Sequence, residues 1–376
     1  MKYIKELETP CLILDKNLLS KNCQMFRNRC NYLNVSLRPH VKTPKSVEIA
    51  KIAHGNKIGP ITVSTLNEAE YFAKAGFTDI IYAVCVVPNK LSRISYIQEK
   101  YKCNLKILLD SIEIANEIKN YSELNNKTFE ILIEIDSGEG RGGLIPHSQK
   151  IYEIINVSLT SKLKIIGVLT HAGHSYKTDK KENIKKIAIK EREIALSASK
   201  FLRNYNNDCE IISIGSTPTI MEVDHLNGIT EARSGVYMFW DLSQASKKIC
   251  SIDDIAISVL ASVINHNFEQ NKIVIDAGSL ALSKDTSANE FMPIAGYGIV
   301  CNFNTLFPYG NLCVNELYQE HGIININDKS LFNKFPIGSL IRILPNHSCI
   351  TCAGFENYYV LENNEIIDKW YRTNGW

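Results

Sequence analysis

Two short segments, far apart in the chain, contain the residue types best suited to chemistry. Residues 38–43 place Lys42 just after a short apolar run, where a lysine amine can form a Schiff base with an aldehyde or ketone. Residues 345–349 place His347 and Cys349 two positions apart. If that segment continues the preceding apolar strand, both side chains point to one face and can chelate zinc. Together the two segments predict metal-assisted Schiff-base chemistry.

Each segment also has a plain structural interpretation. Loop lysines are usually solvated, and Lys45 is a second amine close to Lys42. His347 and Cys349 would equally suit a core histidine beside an inert thiol. Cys352 completes a Cys-x-x-Cys pattern typical of redox or zinc sites, but in a strand its odd spacing would turn it to the opposite face. The chemical interpretation therefore depends on what surrounds the amine.

A third segment suits a phosphorylated cofactor. Gly215, Ser216 and Thr217 follow a predicted strand, where glycine permits close backbone approach and the amides and hydroxyls donate hydrogen bonds. Pro218 can open a short helix there, although a plain turn would fit the same residues. A phosphate site and a lysine at the strand ends of one barrel are what pyridoxal 5′-phosphate requires. We place His40, two residues before that lysine, in the same cofactor site.

Two more segments follow predicted strands. Residues 138–143 satisfy the Gly-x-Gly-x-x-Gly dinucleotide pattern, but Pro146 and further loop residues follow instead of a helix, and no acidic ribose partner ends the next strand. We therefore predict a tight loop that presents Arg141 to the phenolic oxygen of the cofactor or to a substrate carboxylate. His171 and Tyr176 follow the next strand, and either ring can contact a pyridine, although a structural role fits each as well.

A barrel of alternating strands and helices would position these residues. Between residues 35 and 241, short β-rich runs alternate with helix-length segments, which is the βα signature. Helices are predicted over 16–33, 67–74 and 179–203. Eight such runs indicate an α/β fold with a TIM-type (β/α)8 barrel, whose strand carboxyl ends carry the active site. The predicted strands are 35–37, 61–65, 79–84, 105–110, 129–136, 163–170, 210–215 and 228–240.

A mainly β domain is predicted after the barrel, because strands follow one another there without intervening helices. These strands are expected at 255–265, 272–276, 340–344 and 358–361. The expected domains are 14–243 for the barrel and 244–376 for the β domain with the metal site. Residues 1–13 can join the β domain, since residues 9–15 either pair with it or lead into the first helix.

Composition argues for small-molecule chemistry. The 42 basic and 40 acidic residues leave a formal charge of +2, which gives no electrostatic reason to expect nucleic acid or an acidic membrane as a partner. The charged start is unlike a signal peptide and no apolar run is long enough to span a bilayer, so we expect a cytoplasmic protein. The 11 scattered cysteines fit reduced thiols.

With these residues in hand, the chain resembles the D-serine dehydratase and D-threonine aldolase family of fold-type III pyridoxal-phosphate enzymes. The resemblance covers nearly the whole length, and its strength lies in the shared order of short motifs. In this chain the motifs are Thr9-Pro10 with Asp15, and residues 38–43, 136–141, 171–176, 215–219, 231–237, 276–278, 320–322 and 345–349. Ser234 departs from the family pattern, which has proline there, and residues 352–355 do not match closely.

The resemblance implies an alanine-racemase-like barrel joined to a β domain, with Lys42 bonded to the cofactor. It implies that Arg141 meets the phenolic oxygen of the cofactor, and that a divalent metal is held by His347 and Cys349. The softer thiolate favours zinc. It also implies a homodimer. The remaining implied cofactor contacts are His40, His171, Tyr176, Gly215, Ser216, Thr217 and Tyr237.

Cysteine at position 349 is typical of the family's dehydratases, whereas its aldolases carry aspartate there. We therefore expect a lyase that converts a β-hydroxy-D-amino acid, D-serine first, to a 2-oxo acid and ammonia. Retro-aldol cleavage of D-threonine and dehydration or cleavage of 3-hydroxy-D-aspartate are alternatives. An amino-acid racemase, which would need no metal, and a cofactor-carrying regulatory protein of the single-barrel kind are more remote.

Overall fold

The computed structural model describes residues 3–205 and 209–376, and these form two compact units. The first unit comprises residues Gln24–Gly235 with Thr373–Trp376. The second comprises Val236–Arg372 with the described part of Met1–Cys23. The chain passes between them at residues 235 and 236, against 243 and 244 expected from the sequence.

The bounds of the strands and helices are as follows. In chain order the strands are β1 Cys11–Asp15, β2 Ser36–Leu37, β3 Ile61–Val63, β4 Asp79–Cys85, β5 Asn104–Leu109, β6 Phe129–Ile135, β7 Leu163–Thr170, β8 Ile211–Ile214, β9 Glu231–Ala232, β10 Ile257–Asn267, β11 Lys272–Ile275, β12 Gly298–Asn302, β13 Pro308–Cys313, β14 Glu316–Leu317, β15 Gly322–Asn325, β16 Leu340–Pro345, β17 Asn357–Glu362 and β18 Glu365–Tyr371. The helices are α1 Lys16–Tyr32, α2 Val47–Ala53, α3 Leu66–Lys74, α4 Leu91–Tyr101, α5 Ile112–Asn125, α6 Gln149–Leu159, α7 Lys181–Arg203, α8 Thr217–Glu222, α9 Leu242–Ser246, α10 Ser279–Leu282, α11 Ser330–Lys334 and α12 Ser348–Ala353.

The first unit is a barrel. Its described residues form one sheet of eight parallel strands in the order β2-β9-β8-β7-β6-β5-β4-β3, and a parallel bridge between His40 and Thr62 joins the two ends. One cluster of the buried core contains Ile81, Leu108 and Leu132. Apolar residues are expected there because the strands of a parallel sheet are buried on both faces. The prediction of a TIM-type barrel is therefore confirmed. The carboxyl ends of all these strands meet at one rim.

One strand prediction was mostly wrong. A strand was expected over 228–240, but only β9 pairs, and a 3₁₀ helix follows at Val236–Met238. The apolar run that suggested a long strand is buried throughout, because a buried turn selects apolar side chains as strongly as a buried strand does. Gly235 ends the pairing at a crowded place, since a Cβ there would lie 2.3 Å from the His40 carbonyl oxygen.

Helices α3 and α5 begin with side-chain caps, and α7 packs through an apolar face. Thr65 caps α3 by accepting a hydrogen bond from the Glu68 amide, and Ser111 caps α5 in the same way. Helix α7 buries Ile184, Ala188 and Ala195 at helical spacing. The outer surface of the barrel is thereby fixed by short-range signals.

The second unit is mainly β, as predicted. Its strands form a ten-stranded sheet within the described residues, with the central order β13-β12-β16-β10-β1-β17-β18. Strand β1 pairs antiparallel with β10 and parallel with β17, so the choice left open by the sequence for residues 9–15 is decided in favour of this unit. Asp15 then starts α1 by accepting the Leu18 amide hydrogen bond. Along residues 3–205 and 209–376, no helix combines the length and apolar character that crossing a bilayer would need.

Candidate active site

The carboxyl-terminal rim of the barrel contains a cavity of about 460 Å³. The residues that line it follow or end most of the barrel strands, and they include His40, Lys42, Arg141 and His171 from the sequence prediction. The structure therefore brings four predicted site residues into one space. Strand polarity is the cause, because parallel strands deliver their carboxyl ends to the same side.

Lys42 lies in the turn between β2 and α2, and its side chain is exposed at this cavity. Lys45, the competing amine, instead forms an ion pair of 3.2 Å with the fully buried Glu68. Arg38, at the start of the same segment, is only 3% exposed and binds Glu231 and Asp79 at 2.7 and 2.8 Å. The turn thus leaves Lys42 as the amine that faces the cavity.

Two imidazoles flank the cavity in the neutral form. Burial, with the nearby charge of Lys42, lowers the pKa of His171 to about 3 and holds the pKa of His40 well below its usual value. The Nδ1–H of His171 donates to the Gly215 carbonyl oxygen, which fixes the ring at the strand end. The buried Nδ1 of His40 has no hydrogen-bond partner within the described residues. An unpaired buried nitrogen at a cavity wall suits a bound polar group.

Arg141 is presented by the glycine-rich loop, as predicted. The Asp136 carboxylate accepts hydrogen bonds from the amides of Gly138, Glu139 and Gly140, and this shapes the loop. The Arg141 guanidinium lies 3.5 Å from a Glu134 carboxylate oxygen and stays 59% exposed. Strand β6 leads to this loop and α6 begins only at Gln149, so the arrangement differs from a dinucleotide-binding turn.

The loop after β8 is built tightly. A Cβ at Gly215 would lie 2.0 Å from the Arg233 carbonyl oxygen, so the position requires glycine. The Ser216 hydroxyl caps the six-residue helix α8, which has a proline in its first turn as expected. The Thr217 amide donates to the Tyr176 hydroxyl at 3.2 Å. The structure therefore places the Tyr176 phenol at this loop.

Arg233 is a cavity residue that sequence reasoning did not select. It is 5% exposed, and its guanidinium donates to the Ser213 hydroxyl at 3.0 Å and to the Thr170 carbonyl oxygen. Burial lowers its pKa to about 10, so the group remains a cation at neutral pH. Because Arg233 directly follows β9, its position at a strand end could have identified it as a site residue. The predicted strand over 228–240 was too long and placed Arg233 inside the strand instead.

An acidic cluster forms another wall of the cavity. Cys85, Asp110 and Glu134 stand at the ends of three successive strands, and one ligand atom from each lies within 4.8 Å of the others. The Cys85 thiol donates to Glu134 at 3.1 Å. Sequence reasoning missed this cluster because its members are about 25 residues apart and each alone is unremarkable in type.

The predicted metal pair lies in the second unit and is not on a strand. Strand β16 ends at Pro345, and His347 is the residue that precedes α12, so the expectation of strand alternation for His347 and Cys349 was wrong. Ser348 enforces the turn, because its amide donates to the buried Asp241 carboxylate at 3.0 Å. Cys352 lies in the same helix and is fully buried, whereas the Cys349 side chain is partly exposed.

The His347 imidazole is oriented by an acidic partner. Its Nδ1 lies 2.8 Å from an Asp285 carboxylate oxygen, which leaves Nε2 for another ligand. Although burial alone would lower it, hydrogen bonds to Asp285 and Cys349 raise the pKa of His347 to about 11. An imidazole and a thiol in contact, with a carboxylate behind the imidazole, fit a divalent metal of zinc type. Two protein ligands leave positions for water or substrate, as a catalytic metal requires.

Tyr237, the remaining predicted cofactor contact, belongs to the second unit. It is fully buried in the 3₁₀ helix Val236–Met238. Its cofactor role stays a prediction.

Comparison with known proteins agrees with this arrangement. Residues 14–243 match the family model for the N-terminal domain of alanine racemase. Residues 256–361 match the family model for a putative serine dehydratase domain. D-threo-3-hydroxyaspartate dehydratase of Delftia sp. (strain HT23) is 36% identical, with 98% of each chain covered. D-serine dehydratase of Dictyostelium discoideum is 33% identical, covering 99% of this chain and 98% of the relative.

A solved structure is similarly close over its whole length. A metal-free cysteine-to-alanine mutant of D-threo-3-hydroxyaspartate dehydratase has a TM-score of 0.96 and 35% identity, with 100% of both chains covered. Similarity of this extent covers both units.

Proposed function

Because the chain belongs to the family of pyridoxal phosphate-dependent lyases that contains D-serine dehydratases and D-threonine aldolases, we propose that it dehydrates a β-hydroxy-D-amino acid, with D-serine as the first candidate. D-Serine would yield pyruvate and ammonia. The observation that carries the proposal is the contact between His347 and Cys349, with Asp285 holding the imidazole. The two relatives compared above are both named dehydratases.

The barrel cavity supports the cofactor assignment. It combines an accessible lysine amine, an unpaired His40 nitrogen and neutral His171. The hydroxyl-rich loop that starts at Gly215 does not line the cavity itself, but the Gly215 carbonyl oxygen accepts a hydrogen bond from His171 at the cavity wall. Pyridoxal phosphate bound there would supply an electron sink for negative charge at the substrate Cα. Lys42 would bond its aldehyde and, when free, remove the α-proton. His171 would stay uncharged beside the ring, and Ser216 and Thr217 would face the phosphate.

The second unit supports the metal assignment. His347 and Cys349 would hold a divalent cation, with zinc favoured by the nitrogen and sulfur donors. Such an ion supplies Lewis acidity toward the β-hydroxyl that must leave. The family typically forms dimers, and a homodimer stays our expectation, which light scattering on the purified protein would test.

A second substrate candidate is D-threo-3-hydroxyaspartate. It is favoured by the name of the 36% identical relative, which dehydrates that compound. Its dehydration also releases a 2-oxo acid and ammonia, whereas aldol cleavage would release glycine and an aldehyde.

A product assay on the purified protein tests the proposal. We expect a visible absorbance band from bound cofactor, bound zinc by elemental analysis, and 2-oxo acid with ammonia from D-serine or D-threo-3-hydroxyaspartate. Formation of glycine and an aldehyde from D-threonine would show that the enzyme catalyses aldol cleavage and not dehydration. Amino-acid racemisation that stays at full activity after stringent chelation would favour a racemase-type enzyme. A protein that stays colourless with added cofactor would overturn the assignment.

The carboxylate behind His347 gives a more local prediction. Replacing Asp285 by asparagine removes the acceptor charge that orients the imidazole, and we expect zinc affinity to fall about 10–100-fold, as for other orienting partners of metal-bound histidine. Competition with a chromophoric chelator measures the change. Glu290→Gln, at an exposed carboxylate of the same loop, is the matched control and should leave the affinity within about two-fold. Equal losses in both variants would show that Asp285 has no special role.

A further inference from the structure

Helix α7 contains a carboxylate where its packing pattern requires an apolar residue. Its buried stripe includes Ile184, Ala188, Ala195 and Leu202, and Glu191 continues that stripe with no exposed surface. Burying a carboxyl group without hydrogen bonds is strongly unfavourable. An acidic residue at this position therefore needs partners that an apolar residue would not have.

The partners of Glu191 come from the ends of two neighbouring strands. One carboxylate oxygen accepts the Thr170 hydroxyl at 2.9 Å and the Gly215 amide at 3.2 Å. The other oxygen accepts the Thr219 hydroxyl at 3.2 Å. Thr170 ends β7, just before His171, whereas Gly215 and Thr219 belong to the loop after β8 and to α8. One side chain thus ties three backbone segments together.

The hydrogen bonds continue into the loop. The Thr219 hydroxyl lies 2.8 Å from that of Ser216, which lies 2.9 Å from that of Ser175. All three hydroxyl-bearing residues are buried. The direction of each hydroxyl hydrogen depends on its neighbours. The hydrogen bonds to Glu191 therefore influence whether the Ser216 hydroxyl donates to a ligand or accepts from it.

We propose that Glu191 is a positioning residue for the phosphate site, holding the loop of residues 215–219 in the conformation that binds the phosphate group of the cofactor. Glu191 does not itself touch the phosphate. This inference rests on the proposed function, because it takes that loop as the phosphate site. Glu191 belongs to the outer helix layer of the barrel and precedes the loop by about 24 positions in sequence, so it would support the phosphate site from outside.

The physical reason is preorganisation. Without the carboxylate, the Gly215 amide and the hydroxyls of Thr170 and Thr219 lose a buried acceptor and turn to other partners. The loop would then have to be reordered when phosphate binds, which lowers affinity. Pyridoxal, which has the same ring and aldehyde but no phosphate, does not use the loop and should be insensitive to this change.

Two substitutions separate hydrogen bonding from packing. Glu191→Leu suits the apolar stripe but removes every acceptor. Glu191→Gln keeps an acceptor oxygen for Thr170 and Gly215, and its amide can donate to the Thr219 oxygen, whose own hydrogen then reaches the Ser216 carbonyl oxygen 3.2 Å away. Thr219→Val, a near-isosteric change, tests the same network should the leucine variant fail to fold.

The experiment measures dissociation constants of cofactor-free protein for pyridoxal 5′-phosphate and for pyridoxal by spectroscopic titration. For Glu191→Leu we expect phosphate-ester binding to weaken at least about ten-fold, the scale of a lost buried acceptor, with pyridoxal unchanged within about two-fold. Glu191→Gln should stay within about three-fold of wild type for both ligands. Thr219→Val should show the same selectivity with a smaller loss.

Three results would overturn the inference: unchanged phosphate-ester binding in Glu191→Leu, equal weakening of both ligands, or, if that variant does not fold, no selective loss in Thr219→Val. The wild-type protein provides the separate check on the proposed function. If it binds pyridoxal as tightly as the phosphate ester, the loop is not a phosphate site and the cofactor assignment itself fails. Thermal unfolding of each cofactor-free variant verifies folding.

Discussion

Replacing Lys42 by arginine should lower turnover of the preferred substrate by at least about a thousand-fold, the range expected when a covalent anchor and a general base are lost together. Arginine keeps the positive charge and most of the length, but its guanidinium stays protonated and cannot act as an amine nucleophile or base. The visible absorbance of the bound cofactor should shift at the same time. Initial rates of 2-oxo acid formation measure the loss.

Lys45→Arg is the matched control for this experiment. Lys45 is three residues away in the same turn, but its amine is paired with the buried Glu68, and arginine can maintain that ion pair. We expect its turnover within about three-fold of wild type, since the ion pair is kept and Lys45 is not among the residues that line the cavity. Unchanged activity in Lys42→Arg, or an equal loss in both variants, would show that the barrel amine has been assigned wrongly.

Removing either predicted metal ligand should abolish dehydration but leave chemistry at Cα. With only one ligand left, His347→Ala and Cys349→Ala should lose their bound metal, and dehydration should fall at least about a thousand-fold, the scale of Lewis-acid stabilisation of a leaving oxygen. Exchange of the Cα proton of D-serine for deuterium, which needs the lysine and not the metal, should stay within about ten-fold. Elemental analysis and proton NMR in heavy water measure the two quantities.

Cys352→Ala is the control for the metal prediction. Its thiol is on the same short helix but fully buried, and burial raises its pKa to about 12, so it is a poor metal ligand. We expect its metal content to equal that of the wild type. Loss of metal in Cys352→Ala, with retention in Cys349→Ala, would reverse the ligand assignment. Loss of both exchange and dehydration in His347→Ala would mean that the metal is needed before the β-hydroxyl leaves.

Much of the barrel could be predicted because its signals are local. Strands β4 to β7 begin and end within about two residues of their predicted bounds, since buried parallel strands appear as continuous apolar runs. Lys42, Arg141 and His171 were selected because each follows such a strand, and strand polarity alone brings them to one rim.

The errors arose where local sequence is ambiguous. The apolar run after Gly235 fits a strand and a buried turn equally well, and the structure has the turn. Residues 345–349 follow a clear strand, but the bond from Ser348 to Asp241, more than 100 residues away, converts the continuation into a helix start. Neither outcome can be read from a window of ten residues.

The sequence by itself determined the barrel with its β domain, the lysine after the first barrel strand, and the hydroxyl-rich loop after β8, because periodicity and residue type within a few positions specify them. Tertiary structure alone decided that Glu191 lies beneath that loop, that Arg233 and the Cys85 cluster line the cavity, and that Asp285 stands behind His347. The physical reason is that side-chain hydrogen bonds and cavities depend on which distant segments pack together, and no spacing in the chain encodes those partners.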